Sequence, residues 1–216
     1  ATLRAGSPWP PPGWWIVGCD VGQGDGFVVR SQGHVVVIDT GPDAELMDAC
    51  LARLGVDSID LLVLTHFHAD HVDGLAGIIR GRSIGQVWTS PCQEPADQYA
   101  QALPLLSGLP VATPSPGTAV AVADMQLTVM WPQRIIDAGS VPNNASMVLL
   151  VAARPGRALF LGDIEPEAQR ALLAGSDIRA DIVKLPHHGS AQFVPDLPAR
   201  MGADIALVGV GADNPF

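Results

Sequence analysis

The strongest constraint on this chain is a cluster of titratable residues where an apolar strand ends. Leu61-Leu62-Val63-Leu64 runs directly into Thr65-His66-Phe67-His68-Ala69-Asp70-His71. A buried strand of this kind belongs to a layered α/β sheet, and such sheets keep their sites at strand ends. Residues two apart in extended chain face the same way, so His66 and His68 can reach one ion. Asp70 and His71 open the next helix and can turn toward a second. Imidazole and carboxylate donors suit zinc, iron or manganese, and a catalytic site leaves one coordination position open for water. Five of the six histidines lie here or in His187-His188, with only His34 apart, so isolated structural histidines do not explain the pattern.

The second half of the chain repeats the arrangement. Ile182-Val183-Lys184-Leu185-Pro186 leads into His187-His188-Gly189-Ser190, and a strand ending at Leu161 leads into Gly162-Asp163. One histidine of the pair is expected to ligate, the other to hydrogen-bond a substrate oxygen or act as an acid. Asp163 can bridge two ions, although an aspartate just before Glu165-Pro166 also suits a helix cap. Asp39-Thr40-Gly41 and the Asp20-Val21-Gly22-Gln23-Gly24-Asp25 turn add carboxylates at strand ends. Their expected role is to orient ligand histidines through the free ring nitrogen; the alternative is aspartates capping glycine turns.

Strand patterns at 14–20, 27–31 and 35–39 form an opening meander, followed by a helix over 43–54 that Gly55 closes. A strand at 60–64, a helix near 72–80, a strand at 86–89 and a helix within 98–106 alternate as in an α/β layer. Strands at 120–123, 126–131, 146–153 and 158–161 come next. A helix at 165–173, a strand at 181–185, a helix at 194–201 and a strand at 204–208 complete the count. The expected fold is one domain over 14–216, an αββα sandwich of two facing sheets with helices outside. Residues 1–13 read as a proline-rich linker and 110–117 as a proline-rich loop.

Acidic residues outnumber basic ones 22 to 12, which argues against gripping polyanions by broad attraction. Two divalent ions would reverse the sign locally. Cys19, Cys50 and Cys92 lack metal-knuckle spacing and read as buried thiols, with one disulfide open in an oxidising compartment. No uninterrupted apolar run is long enough to span a bilayer.

His66-x-His68-x-Asp70-His71, with Asp39-Thr40-Gly41 upstream and Gly162-Asp163 downstream, resembles the metallo-β-lactamase superfamily, whose members share the αββα sandwich and hydrolyse esters, amides and phosphodiesters. Asp20 to Asp25, Asn143-Asn144-x-Ser146, Gly162-Asp163 and Lys184-x-x-His187-His188-Gly189-Ser190 together resemble the C-terminal domain of the ComEC/Rec2 family of DNA-uptake channels. This resemblance covers about 14–216.

It implies two divalent ions, manganese or zinc. His66 and His68 would hold one, Asp70, His71 and His187 or His188 the other, and Asp163 would bridge. His187 is placed in the ligand set, and Asp70, His187 and His188 are placed at the chemistry. Asp20, Asp25, Asp39, Asn143, Asn144, Lys184 and Ser190 are expected to support the ligands or meet substrate. A third histidine usual for the first ion is absent, with Asn143 or Asn144 in its place. The chain ends at 214–216, before an aromatic-Gly-His-Pro segment common in the family.

The implied activity is a nuclease that degrades the non-transported strand. Its partners would be DNA, single-stranded, and the transmembrane part of the same parent protein. The domain is expected to be a monomer on the extracytoplasmic side of the cell membrane. A small-molecule phosphodiesterase, such as a phosphorylcholine esterase, and a non-catalytic domain binding DNA or the channel are the alternatives.

Overall fold

The computed structural model describes residues 9–212 and 214, and among them the chain forms two six-stranded sheets. The first takes β1 (Ile16–Gly18), β2 (Phe27–Ser31), β3 (His34–Ile38), β4 (Ser58–Leu64), β5 (Ser83–Thr89) and β6 (Val111–Ala112) in chain order. An antiparallel meander, β1-β2-β3, passes into a parallel run, β3-β4-β5-β6. Parallel neighbours need crossovers, and these are α1 (Ala44–Leu54), the short pair α2 (Ala69–Val72) and α3 (Leu75–Ile79), and α4 (Ala96–Leu106). The second sheet follows the same plan. Antiparallel β7 (Ala119–Val122), β8 (Met125–Trp131), β9 (Val148–Ala153) and β10 (Gly156–Phe160) lead to parallel β11 (Ile182–Lys184) and β12 (Ile205–Leu207). A one-turn helix, α5 (Val141–Asn144), precedes β9, and α6 (Pro166–Gly175) and α7 (Leu197–Met201) make the later crossovers.

Strand alternation sorts the side chains into three apolar layers. Val35 and Val37 of β3 pack outward against Met47, Leu51, Leu54, Leu75 and Ile78 of the helices. Val36 and Ile38, with Leu61 and Val63 of β4, face inward onto Leu127, Val129, Leu149 and Val151 of the second sheet. Val148 and Leu159 turn the other way, onto Ala168, Leu172, Leu197 and Met201. Helices, sheet, sheet and helices in that order make the expected αββα sandwich, and β3, β4, β10 and β11 end at one rim, where Asp39, His71, Asp163 and His188 meet.

The departures from expectation are local. The helix near 72–80 is two short pieces, because Gly74 donates its N–H to Gly41 O at 2.7 Å and packs so closely that a Cβ there would collide with the Thr40 carbonyl. Within 110–117, read as a loop, Val111 and Ala112 pair with Val87 and Trp88 as β6. Of the expected linker, residues 1–8 lie outside the described part, as do 213, 215 and 216 at the chain end; residues 9–13 are bend and turn. The cysteines correct the thiol reading: Cys19 and Cys50 form a disulfide that ties the loop after β1 to α1, and Cys92 is free and buried. Among the described residues no helix is long and apolar enough to cross a membrane.

Candidate metal centre

The first half delivers its candidate ligands on one continuous segment, and Asp39 fixes that segment. Asp39 sits at the end of β3 with φ of 58°. Its carboxylate accepts from Thr65 N at 2.7 Å, Thr65 Oγ1 at 2.7 Å and the His71 ring at Nδ1, 2.9 Å away. His71 O in turn accepts from Thr40 N at 2.8 Å and Thr40 Oγ1 at 3.0 Å. The loop from 65 to 71 is therefore clamped at both ends by the turn after β3. Within it, His66 Nε2 and His68 Nδ1 converge to 3.1 Å, and Thr65 Oγ1 lies 3.2 Å from His66 Nδ1. For Thr65 the sequence offers one signal of this role, its place immediately before His66.

The second half brings its groups from separate strand ends. Asp163 follows β10, its N–H held by Ser146 Oγ at 3.1 Å. His188 follows β11, its Nδ1 2.7 Å from Gly209 O, a backbone partner that no side-chain pattern reveals. Asp163 Oδ2 stands 3.2 Å from both His71 Nε2 and His188 Nε2, and Asp70 Oδ2 is 2.9 Å from His188 Nε2. One donor atom each from Asp70, His71, Asp163 and His188 falls within 4.8 Å of the others.

Carboxylates and imidazoles in this pocket shift one another strongly. Burial opposes the charged form of His71, but Asp163 and Asp39 outweigh it and hold the imidazole well above its ordinary value. Burial likewise opposes charge on His188, yet Asp163 and Asp70 push it up to about 9. Burial, then the neighbouring His71, depress His66. Burial works to raise Asp163, but His71 and Lys184 keep it well below the usual carboxylate range. Buried Lys184 pairs with Asp25 and donates to Gly162 O at 3.1 Å and Asp163 Oδ1 at 3.3 Å.

The residues fit a divalent ion. With Nδ1 taken by Asp39, the buried Nε2 of His71 faces Asp163 Oδ2 at 3.2 Å without a well-formed hydrogen bond among the described residues. An imidazole oriented by a carboxylate at one nitrogen, with the other turned onto a carboxylate-rich pocket, is the arrangement of a metal ligand. The mixed imidazole and carboxylate set suits zinc or manganese. Asp25, Asp39 and His71 also lie close together, with Asp39 hydrogen-bonded to Thr65 and Asp25 paired with Lys184.

Some expected positions are corrected. His188, not His187, enters the ligand cluster, because the left-handed backbone at both residues turns the buried His188 ring inward and leaves His187 partly exposed. Asp20 is exposed and is not among the side chains buried in the cluster. Ser190 Oγ accepts from Gln192 N at 3.2 Å, a local turn. Asn144 caps α6, its Oδ1 accepting from Glu165 N at 3.1 Å and Ala168 N at 3.3 Å. Asn143 lies against the His68 ring.

A family model described as the metallo-beta-lactamase superfamily matches residues 19–194. The chain is 24% identical over 225 residues to ComE operon protein 3 of Bacillus subtilis, covering 91% of this chain and 28% of that one. It is 25% identical over 224 residues to Recombination protein 2 of Haemophilus influenzae, covering 95% of this chain and 25% of that one. It thus spans about a quarter of the length of these relatives. Among solved structures, the metallo-beta-lactamase fold protein YhfI of Bacillus subtilis superposes with a TM-score of 0.59 at 12% identity, over 92% of this chain and 86% of that one.

Proposed function

This chain belongs to the metallo-beta-lactamase superfamily, and on that premise we propose that it is a metal-dependent phosphodiester hydrolase acting on DNA, with single strands preferred. The observation that carries the reading is the place of Asp163, in direct reach of His71 and His188 and close enough for its charge to act on His66 and His68. His66 and His68 would hold one divalent ion, Asp70, His71 and His188 a second, with Asp163 between them. Ions held there supply Lewis acidity toward a phosphoryl group and make a water acidic enough to deprotonate near neutral pH.

The chain's own residues supply position. Asp39 and Thr65 hold the histidine loop, Lys184 steadies Asp163, and Asp70, with a side chain 32% exposed, faces solvent at the rim. His187, partly exposed, would hydrogen-bond a substrate oxygen. The net charge of −10 gives little long-range attraction for DNA, so the strand is presented by the rest of a parent membrane protein. The Cys19–Cys50 disulfide supports placing the domain on the extracytoplasmic side, where such bonds persist.

The test is cleavage of an end-labelled single-stranded oligonucleotide by the purified chain in manganese, zinc or magnesium. Metal-dependent cleavage that weakens with salt and disappears in His66→Ala supports the proposal. Rapid turnover of a small diester with no action on DNA in any metal supports a small-molecule phosphodiesterase instead. DNA binding without cleavage in any metal supports the non-catalytic reading.

A further inference from the structure

The two ligand groups are not equal. The second has two imidazoles and two carboxylates, whereas the first shows only His66 and His68 as nitrogen donors. Beside them lies Asn143, 4% exposed, at the end of the one-turn helix α5. Its backbone N–H is capped by Ser140 Oγ at 3.4 Å, and its Nδ2 donates to Glu165 Oε1 at 3.2 Å. A carboxylate only accepts, so the amide nitrogen must face Glu165 and the amide oxygen must face the other way. That oxygen is buried beside the His68 side chain, its one close polar neighbour there, and makes no well-formed hydrogen bond among the described residues. A buried amide oxygen left unsatisfied is unfavourable and asks for a partner.

We propose that Asn143 Oδ1 is the third protein donor of the first metal position, completing it with a neutral oxygen beside His66 and His68. This rests on the metal-dependent reading above and deepens it. Replacing an imidazole by a carbonyl oxygen shifts preference toward manganese and magnesium and away from zinc. The first position therefore binds zinc more weakly than the second, which has carboxylates to offset the ion's charge. Glu165 is a positioning residue that holds the amide in the ligating orientation.

The experiment is calorimetric titration of metal-stripped protein with zinc and with manganese, with bound metal counted by mass spectrometry. Wild type should take two ions of unequal affinity. Asn143→Ala should lose the weaker step while the tighter one stays within about threefold, and Asn143→His should tighten the weaker zinc step by at least about tenfold, the lower end of what even an outer partner of a ligand contributes. Should Asn143→Ala fail to fold, Asn143→His decides alone. Unchanged zinc affinity in Asn143→His, or two wild-type steps in a folded Asn143→Ala, overturns the assignment while leaving the metal-dependent reading intact. A wild-type protein that binds no metal overturns both.

Discussion

The two halves of the sandwich share one plan and differ in how they deliver ligands. The first presents the candidate ligands His66, His68, Asp70 and His71 on a single segment, the loop after β4 and the start of α2, that Asp39 and Thr40 clamp. The second presents Asp163 and His188 from separate strand ends, each held by its own partners, Ser146 for one and Gly209 for the other. The lesson is that a clamp in the first half controls several ligands together, whereas a partner in the second controls one. Asp163 is the exception, since it is where the halves meet.

Breaking that meeting point should have the largest effect. Asp163→Ala is expected to lower hydrolysis by about a thousandfold, corresponding to several kcal/mol of lost stabilisation at the reacting centre. Steady-state assays at saturating metal check it; normal turnover with two bound metals would leave Asp163 as a helix cap. Next is the first-half clamp. Asp39→Ala leaves the Thr65 N–H and the His71 ring without their buried acceptor, so the fold should lose about 3 kcal/mol and metal affinity should fall by about tenfold to a hundredfold. Chemical denaturation of metal-free protein and metal titration measure the two. Ser146→Ala, which removes one second-half partner, should cost far less in both, and equal losses would erase the contrast between halves.

These differences also explain what the sequence discloses. The first half's ligands are adjacent in the chain, so their spacing after Leu64 is visible without any fold. Asp163 and His188 are single residues some two dozen positions apart, and only the resemblance to a family placed them together. The choice between His187 and His188 depends on two left-handed backbone angles, which spacing does not encode. The layers were legible because Val35 to Ile38 and Leu61 to Leu64 supply apolar residues to both faces. β6 and α5 were not, since two and four residues carry no periodicity.

A smaller effect follows from the carboxylates around His71 and His188. Asp163 and Asp39 hold His71 well above its ordinary value, and Asp163 and Asp70 push His188 up to about 9, so both favour the protonated form in metal-free protein. Raised histidine values contribute stability that is fully present below 6.5 and lost as pH rises through the folded values. Metal-free protein should thus be less stable near pH 9 than near pH 6, while metal affinity should move the opposite way as fewer protons need displacing. Titration in buffers of different ionisation heat reads the released protons; affinity independent of pH contradicts this account.

The most direct measurement is anomalous diffraction from crystals grown with manganese. The account predicts two peaks flanking Asp163, one against His66 and His68 and one against Asp70, His71 and His188. A single peak, or peaks away from Asp163, would contradict a centre assembled jointly by the two halves.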